Sequence, residues 1–185
     1  MRHTIAECER AGHDGGLSAG LALTGAALDN APGRVAAVPL TSVPAGTIVL
    51  RSEQGVGFVR AEPFDGPEST AVAARLAGVR LGLTRRLARR VVAHLSARTV
   101  GGEPTIGKQL VQGTLADAHV ATEAVRRALT VAGDCPDAVR DVHERLTTVD
   151  WELAKLLGAS GFVDGGAMFD VHLSRLTASC WVGAS

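Results

Sequence analysis

Tyrosine is missing from all 185 residues, and aromatic side chains together make up only 3% of the chain. That scarcity argues against a surface built to stack sugars or bases. Net charge is missing too: 19 basic residues balance 19 acidic ones, so no overall field draws the chain toward nucleic acid or an anionic membrane. Cysteine is sparse and odd in number, with Cys8, Cys135 and Cys180 far apart. Neither a disulfide framework nor a zinc ligand set is suggested, no metal site is expected, and a reducing cytosol is the expected compartment. The opening segment MRHTIAECERAGHDGG has no apolar core of the kind a secretory signal needs. No run reaches the roughly 20 apolar residues of a membrane span. The expectation is a soluble, cytoplasmic protein.

What the chain has in quantity is small and aliphatic. Hydrophobic residues make up 46% of it, carried by Ala, Val and Leu, which suits helices packed closely through small side chains. Its length fits one domain, or one full domain with a reduced appendage.

Punctuation divides the chain at about residue 68. Ahead of that point lie 10 of the 22 glycines, and Pro32, Pro39, Pro44, Pro63 and Pro67 account for five of the seven prolines. Element length is limited there. Short helices are expected at Thr4–Ala11 and Leu17–Leu28. VAAVPL, GTIVLRS and GVGFVRAE read as short strands, the last two forming a hairpin with Glu53-Gln54-Gly55 at its tip. Gly55 and Gly57 are followed by no helix and read as a turn, not a dinucleotide loop.

From Ser69 the pattern becomes helical. Val72, Leu76, Val79, Leu83, Leu87, Val91 and Leu95 recur every three or four residues, on one face of a long helix. Gly101-Gly102 ends it, and Pro104 suits the first turn of a second helix, which Ile106, Leu110, Val111, Leu115, Val120, Val125 and Leu129 carry to Gly133. Asp134 is placed to cap a third helix from about Asp137 to Leu157. After a turn at Gly158–Gly166, a last helix spans about Ala167–Trp181. The expected fold is mainly α: an antiparallel four-helix bundle over residues 69–185, preceded by a reduced region of small helices and a few strands over 1–68.

Several motifs then fall into one register. Across Ala97–Ala118, Arg98, Gly102, Pro104, Gln109, Gln112 and Leu115-Ala116-Asp117 follow one another at fixed spacing, with Gly82 upstream. Downstream come LLGASGF, Leu156 to Phe162, and Gly183. Together they resemble the C-terminal helical bundle of flavin-dependent acyl-CoA dehydrogenases, over roughly residues 70–185. The resemblance implies FAD held at a subunit boundary, with one subunit cradling the flavin ring and its neighbour's bundle contacting the pyrophosphate and adenosine.

For the half-site given to a neighbour, the resemblance places Arg98 on the family's pyrophosphate-binding arginine, where a guanidinium suits phosphate oxygens. Lys108 occupies another contact position, Lys155 stands in place of a glutamine, and Gly158 opens the later turn. Departures are Val100 and Gly101 after the arginine, and Ala159 for a second glycine. The half-site a chain uses for itself is mostly gone. Val182 and Val72 occupy the family's two catalytic-base positions, and valine cannot take the α-proton of an acyl thioester. The region ahead of the bundle is shorter than the helical and β-domains of the family. The expected function is a shortened subunit that pairs with a full-length paralogue, or assembles as a homo-oligomer, and helps complete an FAD site for α,β-dehydrogenation of an acyl thioester carried by CoA or a carrier protein.

The alternative is a flavin-independent enzyme, such as a cyclase, isomerase or lyase, or a non-catalytic scaffold. His94, Asp150, Asp164, His172 and Cys180 are its candidate groups, and spacing selects none of them. Arg85, Arg86, Arg89 and Arg90 lie on an arc opposite the leucine stripe and read as a solvated or subunit-facing surface. His94, His119 and His143 read as polar-face residues, and His119 with Glu123 as a chance HxxxE.

Overall fold

The computed structural model describes residues 3–64, 67–163 and 166–182. Helix α1, Ile5–Thr24, starts on a reciprocal cap. Thr4 Oγ1 accepts from the Glu7 amide at 3.2 Å while Glu7 Oε2 accepts from the Thr4 amide at 2.6 Å. The helix kinks at Gly16, whose φ of 82° and ψ of −170° only glycine adopts readily. The element is thus two short helices joined at Gly16, as expected here, the second ending at Thr24 and not at Leu28.

Strands β1 (Val35–Pro39), β2 (Val49–Glu53) and β3 (Val56–Arg60) form an antiparallel sheet in the order β1-β3-β2. The β2-β3 hairpin turns at Gln54-Gly55, as the sequence suggests, with φ of 46° and 78°.

Helix α2, Pro67–Ala97, crosses the whole molecule. Its stripe is confirmed: Val72, Leu76, Val79, Leu87, Val91 and Leu95 are buried and Leu83 is half-buried. A two-residue hairpin, β4 (Thr99–Val100) and β5 (Glu103–Pro104), leads to α3, Gln109–Ala132. Pro104 thus lies in a strand, not in the first turn of a helix. The extended backbone of Lys108, φ −71° and ψ 130°, delays α3 to Gln109.

The buried face of α3 runs through Ala118, Thr122, Val125 and Leu129. Leu110 and Val120, expected on that face, are 85% and 67% exposed because they sit off its three-and-four spacing. Helix α4, Pro136–Leu156, has Pro136 in its first turn and Cys135, not Asp134, as the preceding cap residue. Neither side chain caps it: Cys135 makes no cap hydrogen bond, and Asp134 lies one residue too early. Helix α5, Ala167–Ser179, closes the bundle.

Helices α2 to α5 form the antiparallel four-helix bundle, with α1 laid along α2. Glycine makes that contact possible. A Cβ at Gly12 would meet the Val79 carbonyl, and one at Gly82 would meet the Glu9 carbonyl and, at 2.7 Å, the His13 amide nitrogen. Trp181, 2% exposed, ties the end of α5 to the sheet, its Nε1–H donating to Ala37 O at 2.9 Å.

Candidate functional site

The end of the bundle where α2 stops is built around one apolar cluster that contains Leu95, Leu153 and Leu157, with Ile106 and Val111 packed on it. The chain reverses there through Gly101-Gly102, at φ 68° and 85°. The Arg98 amide bonds back to His94 O at 3.1 Å, and its carbonyl accepts from the Thr105 amide at 2.8 Å. The backbone of Arg98 is thereby fixed while its side chain stays exposed.

Lys108 follows Ile106 closely in the chain, and Lys155 and Gly158 flank Leu157; Ile106 and Leu157 both belong to this apolar cluster. Lys108 is exposed, and among the described residues neither it nor Arg98 has an ion-pair partner. Lys155 Nζ is held by Glu152 Oε1 at 2.7 Å. Gly158 has φ 55° and opens a short 3-10 turn, Gly158–Phe162. Free cations fixed at a helix junction suit an anionic group.

The two positions that the resemblance assigns to a base have the opposite character. Val72 is 1% exposed inside the core that joins α1, the sheet and α5, and Val182 packs on the same cluster. Hydrocarbon fills both places, so neither offers a proton acceptor. Gly183 lies outside the described residues.

A polar network that sequence reasoning missed sits in the middle of the bundle. Arg80, 1% exposed, donates from Nε to Ser174 Oγ at 3.1 Å, from Nη1 to His143 O at 3.0 Å and to His143 Nδ1 at 3.1 Å, and from Nη2 to Thr147 Oγ1 at 2.9 Å. Its Nη2 lies 3.6 Å from Asp150 Oδ2. Thr84 donates to Asp150 Oδ1 at 2.6 Å.

His143 is buried, not on the polar face expected of it, and its Nε2–H donates to Ala73 O at 3.0 Å. That leaves Nδ1 as the acceptor for Arg80, which defines a neutral imidazole. Burial, with the Arg80 charge beside it, pushes His143 down to about 3. Burial lifts the Asp150 carboxyl to about 6 against the pull of Arg80 and Thr84, and it lowers Arg80 from its usual value. One signal was available in the sequence. His143 and Asp150 lie one heptad apart beside the apolar positions Val142 and Val149 of α4, where a polar residue must find a buried partner.

The other candidates do not converge. His94 has a buried Nε2 with no hydrogen-bond partner. His119 is exposed, and Glu123 of its HxxxE is taken by Arg126 at 2.6 Å. His172 is exposed beside Trp151 and Phe162 in a shallow groove. The Cys180 thiol is pushed up to about 11 by burial, so it is no ready nucleophile. Asp164 lies outside the described residues. Arg85, Arg86, Arg89 and Arg90 are all exposed, but Arg85 is engaged, reaching Glu9 Oε1 at 2.8 Å. Among the described residues no helix is long and apolar enough to cross a membrane.

The bundle and its junction define a domain class, and the comparisons agree with it. The family model described as "Acyl-CoA dehydrogenase, C-terminal domain" matches residues 71–177, more than half of the chain. The chain belongs to the acyl-CoA dehydrogenase family.

Among solved structures, FkbI for biosynthesis of the methoxymalonyl extender unit of the Fk520 polyketide is similar at 21% identity and a TM-score of 0.58, over 77% of this chain and 49% of that one. Butyryl-CoA dehydrogenase from Megasphaera elsdenii is similar at 16% identity and a TM-score of 0.56, over 75% and 48%. The prolyl acyl carrier protein oxidase AnaB is similar at 14% identity and a TM-score of 0.56, over 76% and 47%. The chain therefore spans about half the length of the solved structures it matches, and at these identities the likeness speaks for the fold. No curated protein matches it in sequence.

Proposed function

We propose that this chain is an accessory subunit of an acyl-CoA dehydrogenase-type complex, lending its bundle end to the FAD site of a full-length paralogue. One contrast carries the reading. Arg98 and Lys108 stand exposed at the helix junction, without counter-ions among the described residues, whereas the two expected base positions, Val72 and Val182, hold core hydrocarbon.

In the complex, Arg98 and Lys108 would hold pyrophosphate oxygens, Lys155 would add a third positive charge once turned from Glu152, and the open space at Gly158 would leave room for the adenosine end. Flavin, when bound, supplies the oxidant for α,β-dehydrogenation of an acyl thioester. The partner would supply the base that takes the α-proton.

The test is co-expression with a full-length family member from the same genome, followed by visible absorption of the purified complex. Flavin retained in the complex and lost on Arg98→Ala/Lys108→Ala, with assembly intact, is the expected result. Flavin content unchanged in that variant, or failure of the two chains to associate, overturns the proposal.

A further inference from the structure

A cavity of about 480 Å³ lies beside the middle of α2, and its last α2 wall residue, Arg90, is eight residues before Arg98, about 12 Å along a helix. That volume falls within the range of small-molecule sites, roughly 300 to 1,000 Å³. Leu83, where its α2 wall begins, is eleven residues beyond Val72, about 16 Å along a helix.

Three elements meet to form it. The kink at Gly16 turns the chain back, so that Gly20 lies again over Val79 and α1 does not run on beside Leu83 to Arg90. The β2-β3 hairpin tip is then fastened across the gap at both sides, Ser18 Oγ donating to Gly55 O at 3.0 Å and Gln54 Nε2 to Asp170 Oδ1 at 3.2 Å. Without the kink, a straight α1 would fill the space.

Its walls differ in character. Leu83, Leu87, Val171 and Leu173 supply an apolar lining. At the rim, Arg86 and Arg90 lie one helical turn apart, and among the described residues neither has an ion-pair partner. Two like charges at that spacing cost a helix a few tenths of a kcal/mol. Neighbouring Arg85 is engaged by Glu9, so this stretch of α2 answers one arginine and leaves the pair over the cavity unanswered. Arg86 lies against the kink itself, with Nη1 3.6 Å from where a Gly16 Cβ would stand.

The floor is polar where Ser174, 2% exposed, accepts from Arg80. Asp150 borders the same floor but is already engaged by Thr84 and Arg80.

The geometry points to this cavity as a binding site for a short aliphatic carboxylate, its head between Arg86 and Arg90 and its chain on the leucine lining. Such a site is separate from any flavin half-site at Arg98 and stands whether or not that proposal holds.

Calorimetric titration with sodium hexanoate tests it, using hexan-1-ol and inorganic phosphate as comparison ligands. Saturable hexanoate binding is expected to exceed that of either comparison ligand. It should weaken about tenfold or more in Arg86→Gln/Arg90→Gln, be partly kept in Arg86→Lys/Arg90→Lys, and be untouched by Arg98→Ala. Both arginines are exposed, so these variants should keep the fold, checked by circular dichroism. Equal binding of hexan-1-ol reduces the cavity to an apolar sink, equal binding of phosphate reduces the pair to an adventitious anion site, and an unaffected double variant places the ligand elsewhere. Each of these three results overturns the assignment.

Discussion

Arg80 Nη1 lies 3.1 Å from Nδ1 of His143, so a guanidinium and an imidazole that face each other in the core must share one positive charge between them. Asp150 completes the balance from 3.6 Å away. Replacing Arg80 with leucine removes the donor for Ser174 and Thr147 and leaves Asp150 without its counter-ion. We expect a loss of about 3 to 5 kcal/mol in urea denaturation, with Arg80→Leu/Asp150→Leu recovering part of it.

The same network sets an unusual acid response. His143 is depressed from 6.5 to about 3, so its contribution to stability is present above 6.5 and is lost as pH falls toward 3. Asp150 is raised from 3.8 to about 6, so its contribution is present below 3.8 and is lost as pH rises through 6. Between about pH 6 and 4 the two slopes oppose and nearly cancel. Asp150→Asn should therefore lose on the order of 3 kcal/mol more than the parent chain between pH 6.5 and 4, and His143→Gln should lose less than the parent. Denaturation midpoints at both pH values decide it, and parallel curves for all three proteins would contradict the pairing.

Close approach of α1 to α2 gives a sharper contrast. Gly82→Ala drives a methyl group into the Glu9 carbonyl and should cost about 1 to 3 kcal/mol. Gly113→Ala, in α3 with nothing within 4 Å of the new methyl, should stabilise by about 0.5 to 1 kcal/mol. Thermal melts of the two variants should move in opposite directions.

Trp181→Phe keeps most of the apolar volume but leaves Ala37 O, in buried β1, without its donor. A loss of about 1 to 3 kcal/mol is expected, with the far-ultraviolet spectrum unchanged.

Much of this architecture was legible because α2 is amphipathic over its full length and its stripe, Val72 to Leu95, needs no tertiary information to be read. The hairpin was legible too, since Gln54-Gly55 is a turn pair between two short runs that carry Ile48 and Val49 on one side and Val56 and Val59 on the other. Errors gathered where local preference met a competing bond. Pro104 fits a helix start in isolation, but the Thr105 amide is claimed by Arg98 O, and this holds the segment extended. Leu110 and Val120 are apolar yet face outward, because α3 is buried along one side only.

At the candidate site, the sequence placed Arg98, Lys108 and Lys155 at a single bundle end through family register. It could not reveal that Arg80, Thr84, Ser174 and His143 meet, because those residues come from three helices. Charged and hydroxyl side chains on a mostly apolar face look like tolerated irregularities until the facing helices are in place.

Glu9, 8% exposed in α1, accepts from Arg85, 76 residues downstream, and from Arg126, 117 residues downstream. This carboxylate is made before both of its partners and must wait for α2 and then for α3. Until α3 has been made, the glycine-rich face of α1 has only part of its binding surface, and the closure that completes it spans most of the chain. By the cost of such long loops, docking of α1 belongs to the late side of the folding barrier. Its loss should therefore speed unfolding far more than it slows folding.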